Sequence, residues 1–150
     1  MDRLNVFDVA KSILESFEDG TSAIKLQKLC YYCQAWHLVW TGNPLFDNNF
    51  QAWRYGPVCR ELYDIHKGSF SLKASDIPDQ KLTRALTQKE VDTINKVVSY
   101  YGDKPAGWLV ELSHNELPWK SVREQCGCKP DGNCEEVIPN DLIRKYYASL

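Results

Sequence analysis

One run limits the fold more than any other. Across residues 23–41, Leu26, Leu29, Cys30, Cys33, His37 and Trp40 follow one another at steps of three or four. That is the repeat of one helix face. Thr21 or Ser22 is positioned to cap the start of this helix, Gly42 to stop it, and Asn43-Pro44 to turn the chain away. The rest of the chain is expected to pack around a long helix.

Shorter helices surround it in the pattern. Val6, Val9, Ala10, Ile13, Leu14 and Phe17 predict an amphipathic helix over 6–17, capped by Asn5 with Asp8 in its first turn and ended by Glu18-Asp19-Gly20. Gly56-Pro57 reads as the opening of another helix carrying Val58, Leu62 and Ile65, since proline suits a first helical position. Thr87-Gln88-Lys89-Glu90 is a capping box. It introduces Val91, Ile94, Val97, Val98 and Tyr101, and Gly102 stops that helix. Further helices are expected over 105–113, from near Pro118, and after Pro139. Residues 45–55 are aromatic-rich and only loosely alternating, and read as a short extended pair or a packed loop. Residues 67–86 are poorly periodic, and 126–136 form a Gly/Pro/Asp/Asn loop. The expected fold class is mainly α: one compact domain over residues 1–150, a bundle of about six or seven helices, with a short β pair around 45–55 as the one sheet candidate.

Composition narrows the function. A chain of 150 residues with 43% apolar and 25% charged residues is an ordinary globular domain. It buries roughly two-thirds of its unfolded surface and needs no staple. A net charge of -2, with no run of Lys or Arg, argues against a nucleic-acid partner. No stretch reaches the ~18 apolar residues of a membrane span. Asp2, Asp8, Glu15 and Glu18 interrupt any signal-peptide core. The expected location is the cytoplasm, where the six cysteines should be thiols or metal ligands rather than disulfides. The phosphate-cradling, dinucleotide, zinc-protease and nucleophile-elbow patterns are missing. A binding protein is expected, not an enzyme, with no catalytic residue and no cofactor.

Several residues carry a functional and a structural reading side by side. Lys25 and Lys28 flank the long helix's stripe, and read first as a solvated flank, with a partner-facing charge pair as the alternative. In Trp53-Arg54-Tyr55-Gly56-Pro57, aromatics and an arginine have the composition of a binding hot spot. Trp53 and Tyr55 also suit core anchors, Gly56-Pro57 helix punctuation, and Arg54 an exposed contact. His114, Pro118 and Trp119 form an H-x-x-x-P-W block. No acid or nucleophile partners His114, so a histidine packed near Trp119 is preferred to a general base. His37 lies on the apolar stripe and reads as a satisfied core histidine. Cys30 and Cys33 make a C-x-x-C, but mid-helix, away from the helix N-terminus that activates a thiol. They read as small core hydrophobes, as does Cys59. Cys126, Cys128 and Cys134 crowd one loop. Free surface thiols are the preferred reading. A zinc site completed by His114 or another cysteine is an alternative, because tetrahedral zinc needs four ligands, and a disulfide is another.

The blocks KLQKLCYYCQAWHLVWTGNPLF (25–46), FQAWRYGPVCRELYD (50–64) and SHNELPW (113–119) resemble, in order and spacing, the three hallmark blocks of the Panacea domain. This family includes SocA-type antitoxins and phage-associated GepA-type proteins. The resemblance covers most of the chain, including a C-terminal helix at 139–148. It implies a mainly α-helical domain that binds and neutralises a protein toxin encoded by an adjacent gene. It also implies two other roles: an adaptor presenting the toxin to a Clp-type protease, or a mobile-element accessory protein without a toxin. The loop CGCKPDGNC (126–134) departs from the family pattern, so the C-terminal surface is not expected to follow the family closely.

Overall fold

The computed structural model describes residues 3–78 and 84–150. Its centre is the long helix predicted over 23–41. That helix, Ala23–Thr41, is α2, and the N-terminal helix Val6–Leu14 is α1. The Ser22 hydroxyl accepts from the Lys25 amide at 3.2 Å, and Gly42 closes α2 at φ 78°. At ~1.5 Å per residue α2 is roughly 28 Å long, enough to run through the whole domain.

Other elements wrap α2 on every side. They are α1, α4 (Gln88–Tyr101), α5 (Ala106–Asn115), α7 (Asn140–Ala148) and a hairpin strand, β3 (Gly56–Val58). The expected stripe is buried at Leu26, Leu29, Cys30, Cys33 and His37, but so are Gln27, Lys28, Tyr31, Tyr32 and Gln34. Trp40, which the spacing assigned to the stripe, is instead 47% exposed near the helix end. The buried polar residues are tied to backbone, as burial requires. Gln34, for example, donates to the Phe46 carbonyl at 2.8 Å and accepts from the Leu45 amide at 2.8 Å. His37 lies 2.8 Å from the Thr93 hydroxyl, the satisfied core histidine that was expected.

α1 begins at the Asn5 cap, where Asn5 and Asp8 cap each other's backbone, and stops at Leu14. The expected extension to Phe17 fails because Ser16 and Phe17 close tighter turns onto Ile13 and Leu14. Strands β1 (Thr21–Ser22) and β4 (Ser71–Leu72) pair antiparallel ahead of α2. A 3₁₀ turn follows at Ala74–Asp76. The Thr87–Glu90 capping box is present at the start of α4, and Arg84 pairs with Glu90 at 2.8 Å. The poorly periodic stretch 67–86 lies partly outside the described residues.

The segment 45–55 contributes one strand, β2 (Phe50–Trp53). Its partner lies just beyond: Gly56-Pro57 forms β3 rather than a helix start, with Trp53 opposite Gly56 and Ala52 opposite Pro57. Helix α3 begins only at Arg60 and runs to His66. Two features decide this. Gly56 sits at φ 109°, outside the helical region. Pro57, lacking an N–H, is tolerated because β3 is the edge strand. Strand β5 (Val137–Ile138) pairs on the other side of β2 and leads into α7. Helix α6 (Leu117–Gln125) follows α5 directly and packs against β2, β5 and α7. The described residues thus form a mainly α domain of seven α-helices with two small sheets.

Candidate functional site

The two-residue tip of the hairpin, Arg54-Tyr55, stands out from the body. Arg54 is exposed and Tyr55 is 55% exposed, with the guanidinium 5.2 Å from the Tyr55 ring centre. Trp53, one residue back, is half-buried and packs edge-on against Tyr63 at 4.8 Å. Behind the tip lies a cavity of about 420 Å³, lined among others by Ile24, Lys28, Trp53, Tyr55, Val58 and Tyr63.

The sequence treats Lys28 as a solvated flank, and the structure overturns this. Lys28 is 1% exposed. Its ammonium donates to the Pro57 carbonyl at 3.1 Å, and it forms no ion pair among the described residues. Burial holds its pKa down to about 7. Lys28 also explains the glycine of the Tyr55-Gly56-Pro57 motif. A methyl group on Gly56 would meet Lys28 Cε at 2.5 Å and Ser113 Oγ at 2.7 Å, and φ 109° adds strain for any L side chain. Any side chain there would displace Lys28 or Ser113 and hold a strained positive φ. Lys25 faces elsewhere. Its ammonium reaches the Gly102 carbonyl at 2.5 Å and the Phe17 ring, so it pins α2 to the end of α4 and takes no part in the site.

Beside Lys28 the polar groups are already satisfied. Gln27 brackets the Cys59 backbone, donating to its carbonyl at 3.1 Å and accepting from its amide at 2.9 Å. Its amide nitrogen lies 3.0 Å from His66 Nε2, so that ring nitrogen is the acceptor and the His66 proton sits on Nδ1. Burial keeps the His66 pKa below its ordinary value, and the Lys28 charge lowers it further.

His114 and Trp119 support the hairpin from behind. Their rings stack at 4.0 Å, and the Trp119 indole donates to the Trp53 carbonyl at 2.7 Å. His114 Nε2 is buried without a hydrogen-bond partner. Burial lowers its pKa, helped by Lys28 and opposed by the Arg54 backbone. The packed-histidine reading therefore describes its place. Arg123 was missed in the sequence. It is 5% exposed and its guanidinium binds three carbonyls, Ala52 at 2.7 Å, Lys129 at 2.7 Å and Gly132 at 2.6 Å. It thereby fastens the loop 126–136 onto β2. The fork of donors on arginine suits several carbonyls at once, but only the fold shows that they converge.

That loop is the far wall of the cavity, through Asp131 and Asn133, and Asn133 accepts from the Arg54 amide at 3.3 Å. Within it Cys128 and Cys134 are joined by a disulfide and Cys126 is exposed. This corrects the preferred reading of free thiols at Cys128 and Cys134 in favour of the disulfide alternative, while Cys126 is a free thiol as expected. Among the described residues no group of three His, Cys, Asp or Glu is placed to hold a metal ion. Cys30, Cys33 and Cys59 are buried, with thiols pushed up mainly by burial. They are inert core positions, as expected.

A second hollow, absent from the sequence-based candidates, opens near the other end of α2. It has a volume of about 590 Å³ and its rim is aromatic, with Trp36, Trp40, Tyr100 and Trp108. Lys96 and Lys104 lie 5.1 Å and 5.3 Å from the Trp40 and Trp108 ring centres. At its inner end is the buried carboxyl of Glu116, which accepts from the Tyr32 hydroxyl at 2.6 Å and the Tyr147 hydroxyl at 2.7 Å. Burial raises the Glu116 pKa, and the two tyrosine bonds oppose this.

The fold and these surfaces define a helical domain with two concave, aromatic-edged faces. Its family is specific. The sequence profile of the SocA-like antitoxins, Panacea domain, matches residues 26–120, and the chain belongs to that family. The match holds α2, the hairpin, Lys28, His114 and Trp119. It leaves out Arg123 and the disulfide loop. No curated protein and no solved structure matches the chain. No described helix is long and apolar enough to cross a membrane.

Proposed function

We propose that this protein is an antitoxin that binds and neutralises a protein toxin encoded by an adjacent gene, and that the toxin docks on the hairpin tip. The observation that carries the reading is the family match over residues 26–120. The site supports the choice of surface. Trp53, Arg54 and Tyr55 surround a cavity on a rigid hairpin, and exposed aromatics and arginine beside a pocket are typical of binding hot spots. Lys28, Gly56 and Pro57 hold the hairpin in place, and His114 with Trp119 brace it. Neutralisation would be stoichiometric, without chemistry on the toxin.

The test is growth of cells expressing each adjacent reading frame, with and without this protein. One neighbour should arrest growth, and co-expression should restore it. If no neighbour is toxic, the antitoxin reading fails.

The second hollow favours one further reading. An adaptor must hold its toxin and a Clp-type protease at the same time, and this chain has two separate concave faces. Toxin abundance in rescued cells separates the two: sequestration leaves the toxin level unchanged or higher, whereas delivery lowers it only when the protease is present.

A further inference from the structure

We propose that the cavity behind the hairpin tip is a binding pocket for an apolar carboxylate, with Lys28 as its cation. The inference deepens the binding role proposed above by naming the chemistry the hairpin face receives.

The argument starts from what Lys28 lacks. An ammonium has three donors, and in this fully buried group the described hydrogen bond is the one to the Pro57 carbonyl. A buried charge is normally paired, yet the described residues offer Lys28 no carboxylate. Its neighbours deepen the deficit. The charge of Lys28 acts on both His66 and His114 and disfavours their protonated forms. Gln27, the other polar group of the inner wall, has both ends engaged by Cys59 and His66. The amine thus lines the cavity with one described bond for three donors.

The rest of the wall sets the body of the ligand. Ile24, Val58, Trp53 and Tyr63 are apolar or aromatic. Such walls favour a hydrocarbon or ring, and 420 Å³ lies within the range of small-ligand pockets. One cation with apolar walls fits a monoanion such as a carboxylate. A phosphate, with more charge and more acceptors, would leave most of its oxygens unbonded here. At the mouth, exposed Arg54 and Asp131 carry opposite charges, so neither sign is excluded from entering. The same chemistry has two sources: a free aromatic or aliphatic acid, or the C-terminal residue of a bound protein with an apolar side chain.

The test uses the full-length protein with lysine labelled at the ε carbon and observes Lys28 by NMR. Three probes are titrated: phenylacetate, an N-acetylated tripeptide ending in phenylalanine with a free carboxylate, and the same peptide as its C-terminal amide. The two acids are expected to shift the Lys28 signal saturably, and the amide to bind at least about tenfold more weakly than the acid peptide, a loss of ~1.4 kcal/mol. Peptide binding at least about tenfold tighter than phenylacetate marks a chain terminus as the ligand, and equal binding marks a free acid. Lys28→Met should abolish acid binding. Ile24→Trp gives an independent check, since Ile24 is 43% exposed at the cavity edge. It should block entry, with binding read on the Trp53 indole signal, while helical circular dichroism stays unchanged. No saturable shift with either acid at about 10 mM, well above a millimolar dissociation constant, overturns the proposal. So does an amide that binds as well as the acid. Neither result depends on whether a neighbouring gene is toxic, so this inference and the antitoxin reading fail separately.

Discussion

The two hollows end in opposite charges, and the protein treats those charges differently. Glu116 lies beneath the aromatic hollow with two tyrosine hydroxyls on its carboxylate, at 2.6 and 2.7 Å. Lys28 lies beneath the hairpin with a single carbonyl at 3.1 Å. Two hydroxyls converge on one carboxylate oxygen, Oε1, and join Glu116 to α2 and α7 through Tyr32 and Tyr147. The ammonium has one described bond for its three donors, and Lys28 lines the cavity. A buried charge held by two side-chain hydrogen bonds ties helices together, whereas one with a single bond next to a cavity has donors left for a ligand.

The comparison breaks most visibly through Glu116. Glu116→Leu strands the Tyr32 hydroxyl and leaves Tyr147 only the Tyr31 hydroxyl at 3.2 Å, which should cost about 3 kcal/mol, whereas Glu116→Gln keeps an acceptor and should cost about 1 kcal/mol. Urea denaturation measures both. Equal costs would mean that the tyrosine bonds are unimportant and that the two hollows do not differ as described. Gly56→Ala comes next. The methyl group meets Lys28 and Ser113 in a backbone conformation alien to alanine, which should cost about 3 kcal/mol. About 1 kcal/mol of that should return in a Lys28→Ala background, where part of the clash is gone. No recovery would detach the glycine from the lysine.

The disulfide sharpens the contrast, because its loop walls only the hairpin cavity. Replacing Cys128 and Cys134 by serine opens a short loop and should cost about 2 kcal/mol. Amide and indole NMR signals should move at Trp53 and Tyr55 and stay in place at Trp36 and Trp108. Shifts at both hollows would show that the loop acts through the whole fold.

The smallest effect separates the two charges by pH. The Lys28 pKa is lowered to about 7 from 10.5. Between those values the unfolded chain holds the extra proton, so stability rises with pH, and the penalty for burying the charge is fully present only below pH 7. The three histidines, all with lowered pKa values, have completed their change by then. The buried thiols begin to oppose the trend above pH 9. From pH 7 to 8.5 the wild type should gain about 1.6 kcal/mol relative to Lys28→Met, and at pH 7 the variant should be the more stable by about 1 kcal/mol. A flat difference would mean that the amine is not desolvated.

What could be read from the sequence follows the same division. Caps and stops were readable because they are local: Asn5, Ser22, Gly42 and the Thr87–Glu90 box each act within a turn of their own position. The alkyl stripe of α2 was readable from its period. The opposite face was not, since Lys28, Gln27 and Tyr32 look like a solvent face until α5, α7 and the hairpin close over it. The Gly56-Pro57 pair misled for a related reason: its strand geometry is set by Lys28 and Ser113, distant in sequence. The hairpin tip was found by composition alone, whereas the aromatic hollow, assembled from α2, α4 and α5, has no contiguous motif. Arg123 was hidden because carbonyl convergence leaves no pattern in side chains, and the disulfide stood only as an alternative because spacing does not decide whether neighbouring thiols pair.

The central claim is that partners bind the hairpin hollow and that the Glu116 side is structural at its base. It is tested by the affinity of the complex with the toxic neighbour's product for Ile24→Trp and Trp108→Ala, variants at the mouths of the two hollows. Blocking the hairpin cavity should weaken binding at least about tenfold, and trimming Trp108 should change it less than about threefold. A complex that tolerates Ile24→Trp but is lost with Trp108→Ala would move the interface to the other end of α2 and contradict the account.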